Sequence, residues 1–109
     1  MATGLKGKIA IVTGANRGIG RAIAARLSSE GVRVVLCARD ANLLAQAAKE
    51  IEHATALSVD LREQDAAKRV VDFALKTYGQ IDILVNNAGA TKRGDFLELT
   101  DEDWADVSR

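Results

Sequence analysis

Three glycines, Gly14, Gly18 and Gly20, follow the apolar run Lys8-Ile-Ala-Ile-Val-Thr13, and a helical pattern opens directly behind them. Each lacks the Cβ that would bar an unusual backbone angle or the approach of a ligand. The first amides of a helix have no intrahelical partner, and the helix dipole adds partial positive charge there. A strand, a glycine turn and a helix start therefore form a cradle for an anion such as a pyrophosphate. Arg17 inside the turn and Arg39 further along the chain add cationic groups. The other reactive side chains are isolated. Cys37 stands alone in an apolar run and reads as a small buried side chain, and His53 has neither a second histidine nor clustered carboxylates to make a metal site.

The elements that must position the cradle follow from periodicity. Behind the turn, Ile19, Ala22, Ile23 and Leu27 recur at helical spacing, and Gly31 suits a left-handed stop. Val32 to Ala38, rich in β-branched residues and almost wholly apolar, predicts a strand buried on both faces. Asp40 is placed to cap a second helix with the stripe Leu44, Ala47, Ala48 and Ile51. Ala54 to Val59 predicts a third strand, and Glu63 to Tyr78 a third helix carrying Ala67, Val70, Val71, Ala74 and Tyr78 inward, closed by Gly79. Ile81 to Val85 predicts a fourth strand running into Asn86-Asn-Ala-Gly89. A polar, basic loop follows to Leu99, and Thr100-Asp-Glu-Asp103 has the capping pattern of a last helix.

Regular alternation of strand and helix implies an α/β fold, a doubly wound parallel sheet with helices on both faces. The usual order is 3-2-1-4, with the switch point between the first and fourth strands. Ligands bind outside the carboxyl ends of strands at such a point. Gly14 to Gly20 and Asn86 to Gly89 both fall there.

With 109 residues the chain is expected to be one domain. Fifteen basic residues balance fifteen acidic ones, so no global field draws nucleic acid or an anionic membrane surface. One cysteine suits a reducing compartment. No apolar run approaches the ~18 residues of a membrane span, and the N-terminus lacks a signal-peptide core. These features predict a soluble, cytoplasmic protein.

Thr13-Gly-Ala-Asn-Arg-Gly-Ile-Gly20 together with Asn86-Asn-Ala-Gly89 resembles the short-chain dehydrogenase/reductase family, over about Lys6 to Val107. The glycine spacing differs from the Gly-x-Gly-x-x-Gly of the standard dinucleotide fingerprint but occupies the same junction. The resemblance implies a Rossmann-type sheet and a nicotinamide dinucleotide. By similarity, Gly14, Asn16, Arg17, Gly18, Ile19 and Gly20 would surround the pyrophosphate and its ribose. Asp60 would accept from the adenine amino group with the Leu61 backbone beside it; it also reads as a helix cap, and the two roles are not exclusive. Asn86, Ala88 and Gly89 would line the ribose side and tie the fourth strand to the sheet.

Enzymes that prefer the unphosphorylated cofactor place an acid at the end of the second strand. Here Ala38 stands there, followed by Arg39, and Arg17 is within reach; NADPH is therefore expected over NADH. Asp40 is the neighbour that would pair with Arg39 or act as the acid itself.

The family reaction moves a hydride between the nicotinamide and a carbonyl or alcohol carbon. It uses a tyrosine with a lysine four residues on, a serine and an asparagine. Tyr78 is the single tyrosine and Asp82 stands four residues later, so no catalytic residue is assigned. Residues 1–109 are expected to be the cofactor-binding part of a longer enzyme, inactive alone, whose full-length form is a homo-oligomer, a dimer or tetramer, acting on a small carbonyl or alcohol. The alternative is a non-catalytic module that binds a nucleotide, or a partner chain at the open edge of the fourth strand. Lys92, Arg93 and Trp104 read as loop charges and packing.

Overall fold

The structure, a computed structural model, describes residues 4–16 and 18–87. Their order is β1 (Ile9–Thr13), α1 (Gly18–Ser29), β2 (Arg33–Ala38), α2 (Ala41–Glu50), β3 (Ala54–Ser58), α3 (Ala66–Tyr78) and β4 (Ile83–Asn86). The four strands form one sheet in the order β3-β2-β1-β4, every neighbouring pair parallel. This is the doubly wound arrangement that the alternation predicts. Arg17 and residues 88–109, with Ala88, Gly89, Lys92, Arg93, the capping pattern at Thr100 and Trp104, lie outside the described residues.

Strand periodicity divides the core between two faces. Ile11, Val35 and Cys37 point to one side and pack with Ala66, Ala67, Val70, Val71 and Ala74 of α3. Ala10, Val12, Val34 and Leu36 point to the other, against Ala24 of α1 and Leu44 and Ala47 of α2. A parallel strand covered on both sides is apolar at nearly every position, and β1 is buried throughout, its one polar residue Thr13 included, while β2 is exposed only at Arg33. The outer strands β3 and β4 are only partly covered.

Local chemistry bounds the helices where expected, and Gly31 follows α1 in the left-handed conformation, φ 87°. Asp40 caps α2, its Oδ1 accepting from the Leu43 amide at 3.0 Å. Gly79 ends α3 in the left-handed conformation, φ 80°, its amide bonded to the Leu75 carbonyl at 2.8 Å.

Several boundaries differ from the sequence expectation. The buried face of α1 is Gly20, Ala24 and Ser28; Ile23 and Leu27 are half-buried, and Ala22 and Ile19 are exposed. At Gly20 the approach to the glycine turn leaves no room for a side chain, while Ala24 packs into the sheet-side core and Ser28 bonds the Glu52 carbonyl. The third helix begins at Ala66 rather than Glu63, since residues 60–66 make two consecutive turns, Glu63 N–H to Asp60 O at 3.0 Å and Ala66 N–H to Glu63 O at 3.2 Å. Asp60 therefore caps no helix; the residue at that place is Asp65, whose side chain makes no capping bond. The second and third strands start at Arg33 and end at Ser58, one residue inside their expected limits. The fourth starts at Ile83, because Ile81 is buried in the α3-side core and Asp82 turns to β1. At that corner the Ile9 amide donates to Asp82 Oδ2 and the Asp82 amide to the Ile9 carbonyl, both at 2.8 Å.

Candidate functional site

The sheet register sets the carboxyl ends of the strands level. Thr13 is paired with Cys37 on one side and Asn86 on the other, and Cys37 with Leu57. The chain leaving β1, β2 and β3 consequently emerges along one rim. Hydrogen bonds tie the exits together: the Ala15 amide donates to the Cys37 carbonyl at 3.3 Å, the Val59 amide to the Ala38 carbonyl at 2.9 Å, and Ser58 Oγ to the Arg39 carbonyl at 3.0 Å.

Between these exits lies a cleft of about 400 Å³. Gly14 and Asn16 line it from the glycine turn, Ala38 and Arg39 from the end of β2, and Asp60, Leu61 and Arg62 from beyond β3. Five of the residues expected at the site, Gly14, Asn16, Arg39, Asp60 and Leu61, are thus brought to one cavity. Gly18, Ile19, Gly20 and Asn86 stand outside its walls but on the same rim.

Gly18 has φ 62°, a value that side chains rarely adopt, and a Cβ built on it would meet nothing within 4 Å. It opens space. Gly20 does the opposite: a Cβ there would overlap the Gly14 carbonyl oxygen and lie 2.8 Å from Asn87 Nδ2. The two glycines thus differ: Gly18 takes a left-handed backbone angle beside open space, and Gly20 allows close packing. Ile19 is 71% exposed, a large apolar side chain left in the open on the first turn of α1.

The Asn pair holds the far side of the turn. Buried Thr13 Oγ1 donates to Asn86 Oδ1 at 2.8 Å, joining β1 to β4 at their carboxyl ends. Asn87 Nδ2 reaches the Gly14 carbonyl at 3.5 Å. Asn87 and Thr13 therefore belong to the support of the site.

Charge in the cleft is arranged unevenly. Asp60 Oδ1 accepts from the Arg62 amide and from Arg62 Nε, each at 3.0 Å, and Oδ2 accepts from Nη2 at 2.9 Å. Those bonds from Arg62, helped by the charge of Arg39, hold the Asp60 carboxyl well below the usual carboxylate range. Asp40 is engaged in capping α2. Arg39 makes no ion pair among the described residues, which leaves its guanidinium as the available cation of the cleft. Arg62 had no signal in the sequence beyond its charge, since the pairing depends on the turn that follows β3.

The remaining candidates fall elsewhere. Cys37 is fully buried in the sheet, and burial pushes its thiol up to about 12, so it is inert packing. His53 occupies an exposed turn at φ 60°, where its carbonyl accepts from the Val34 amide. Among the described residues no group of metal-ligating side chains occurs, and no helix is long and apolar enough to cross a membrane.

This geometry agrees with comparisons to known proteins. Residues 8–109 match the profile of the short chain dehydrogenase family. A 3-oxoacyl-acyl-carrier-protein reductase of Escherichia coli is 41% identical over 104 residues, covering 94% of this chain and 42% of that protein. The structure of a metagenomic short-chain oxidoreductase in complex with NADP is 45% identical with a TM-score of 0.75, covering 80% of this chain and 41% of that one. A short-chain dehydrogenase/reductase from Burkholderia phymatum in complex with NAD is 28% identical with a TM-score of 0.71, covering 73% and 30%. The chain spans about two fifths of the length of the curated relatives it matches. With a matching profile over almost its whole length, the chain belongs to the short-chain dehydrogenase/reductase family of oxidoreductases.

Proposed function

We propose that the protein binds a nicotinamide dinucleotide across the rim of β1, β2 and β3, NADPH in preference to NADH. It would serve as the cofactor-binding part of an oxidoreductase acting on a small carbonyl or alcohol. The observation that carries this reading is Arg39, a guanidinium in the cleft with no ion pair among the described residues, at the strand end where an acid would select the unphosphorylated cofactor. The solved relative that is 45% identical holds NADP, which supports the same choice.

In this reading the adenosine end occupies the cleft. Asp60 accepts from the adenine amino group beside the Leu61 backbone, and Arg39 meets the 2′-phosphate, with Arg17 as a second cation. Gly14, Asn16, Gly18, Ile19 and Gly20 adjoin the pyrophosphate, where the amides at the start of α1 favour an anion. Asn86, Ala88 and Gly89 border the ribose. The residues present fit such a group: open space over Gly18, an apolar Ile19 standing in solvent, and an available cation in the cleft. When bound, the dinucleotide supplies or accepts the hydride; the residues of this chain bind and orient it. We place the acid and the lysine of the reaction outside residues 1–109, because Tyr78 has Asp82 four positions on, and its hydroxyl is hydrogen-bonded to Thr55 Oγ1 at 2.7 Å.

Calorimetric titration tests this. A hydrogen bond to a charged group contributes roughly 1.5 to 3 kcal/mol, so NADPH should bind about tenfold or more tightly than NADH, and R39A should narrow that preference severalfold, the remainder resting on Arg17. Equal or tighter binding of NADH by the unaltered protein contradicts the assignment.

A further inference from the structure

Asp60 does not enter the cleft as a free carboxylate. Arg62 grips it with a two-pronged fork, Nε on Oδ1 and Nη2 on Oδ2, while its own amide adds a third bond to Oδ1. The main chain is fixed as well, since the Glu63 amide closes a turn on the Asp60 carbonyl. A carboxylate offers about four acceptor sites, and three are filled, one short of the total and all by a single residue. What remains for a ligand is one acceptor site, on Oδ2, of a group whose orientation the fork sets. Both residues line the same cleft, so the fork is part of the wall a ligand meets.

Stability alone does not account for such an arrangement. The Arg62 side chain is 63% exposed, and pairs of this kind contribute little to folding. A fixed acceptor, by contrast, discriminates. A 6-amino purine presents an N–H donor at its exocyclic position, whereas a 6-oxo purine presents an oxygen there and moves its donor to the neighbouring ring nitrogen. A freely turning carboxylate can follow the donor; one held in a fork cannot.

We propose that Arg62 is a positioning residue that locks the Asp60 carboxylate so that its remaining acceptor site selects a 6-amino over a 6-oxo purine. This rests on the reading that the adenosine end of the dinucleotide occupies the cleft. In this proposal Arg62 acts on the purine through Asp60.

The test is calorimetric binding of NADPH, of its hypoxanthine counterpart and of NADH to the unaltered protein, R62A and R62K, with circular-dichroism melts confirming that each variant is folded. The unaltered protein should prefer the adenine form by about tenfold or more, the size of a hydrogen bond to a charged group, and R62A should narrow that preference to within about threefold. R62K keeps the charge but lacks the planar fork, so it should narrow the preference as well. In both variants the ratio of NADPH to NADH affinity should stay unchanged. A purine preference that survives in folded R62A or R62K overturns the proposal, and so does a variant that loses NADPH against NADH, which would make Arg62 a phosphate contact. If the unaltered protein separates NADPH from NADH but not the two purines, Arg62 has no such role while the cofactor reading stands; if it binds none of the three, both fall.

Discussion

A methyl group at position 20 has no room. It would overlap the Gly14 carbonyl oxygen and lie 2.9 Å from the carbonyl carbon behind it, and neither can swing aside as a side chain would. Alanine gains about 1 kcal/mol over glycine in helix propensity, but overpacking against backbone costs about 1 to 3 kcal/mol. G20A should therefore be less stable, by up to about 2 kcal/mol in urea unfolding, and should displace the glycine turn. An unchanged or raised midpoint would show that α1 can move away. Asp60 gives a second prediction at this scale. Its folded pKa is depressed by Arg62, so the stabilisation is present above the unfolded value of about 4 and is lost as pH falls through the lower folded value. Carboxyl-carbon NMR between pH 7 and about 3 should find Asp60 still ionised in the unaltered protein and titrating near 4 in R62A. The accompanying change in acid stability should be small, because the pair is largely in solvent. The presence of Asp60 and the glycines was legible in the sequence. The grip of Arg62 was not, since a bond between residues 60 and 62 exists only once the turn after β3 has formed.

Elements were most legible where burial is two-sided. Arg33–Ala38 reads as a strand because nearly every position is apolar, and the stripe on α2 reads cleanly because Leu44, Ala47 and Ile51 return at helical spacing to one buried face behind the Asp40 cap. Helix α1 was misread by face. Apolarity points to Ile19 and Ala22, but the side that meets the core carries Ala24, with Leu27 half-buried against it, and the first turn lies so close to Gly14 that position 20 has no room for a side chain. The start of β4 was likewise hidden, because Asp82 is ordered by a partner 73 residues away. That corner is open to test. Ile9 is almost fully buried, and its amide has Asp82 Oδ2 as acceptor. D82A would leave that donor unsatisfied, at a cost of about 1 to 3 kcal/mol, and should lower the urea midpoint accordingly. If D82A matches the unaltered protein, another acceptor takes over and the corner does not hold β1 to β4.

At the scale of the whole molecule, alternation of strand and helix was enough to yield the order β3-β2-β1-β4, since right-handed crossovers leave few other arrangements. The level register of the strand ends could not be read, because pairing shifts by whole residues without altering the apolar pattern of strands buried on both faces. Yet that register brings Gly14, Arg39 and Asp60 to one cavity. Everything proposed about function depends on the ligand entering there rather than along the outer strand β4. Amide chemical-shift mapping with NADPH decides between the two. The shifts should concentrate on Gly14, Asn16, Arg39, Asp60, Leu61 and Arg62 and diminish in R39A; shifts confined to Ile83–Asn86, or none at saturating NADPH, would contradict a dinucleotide site in this cleft.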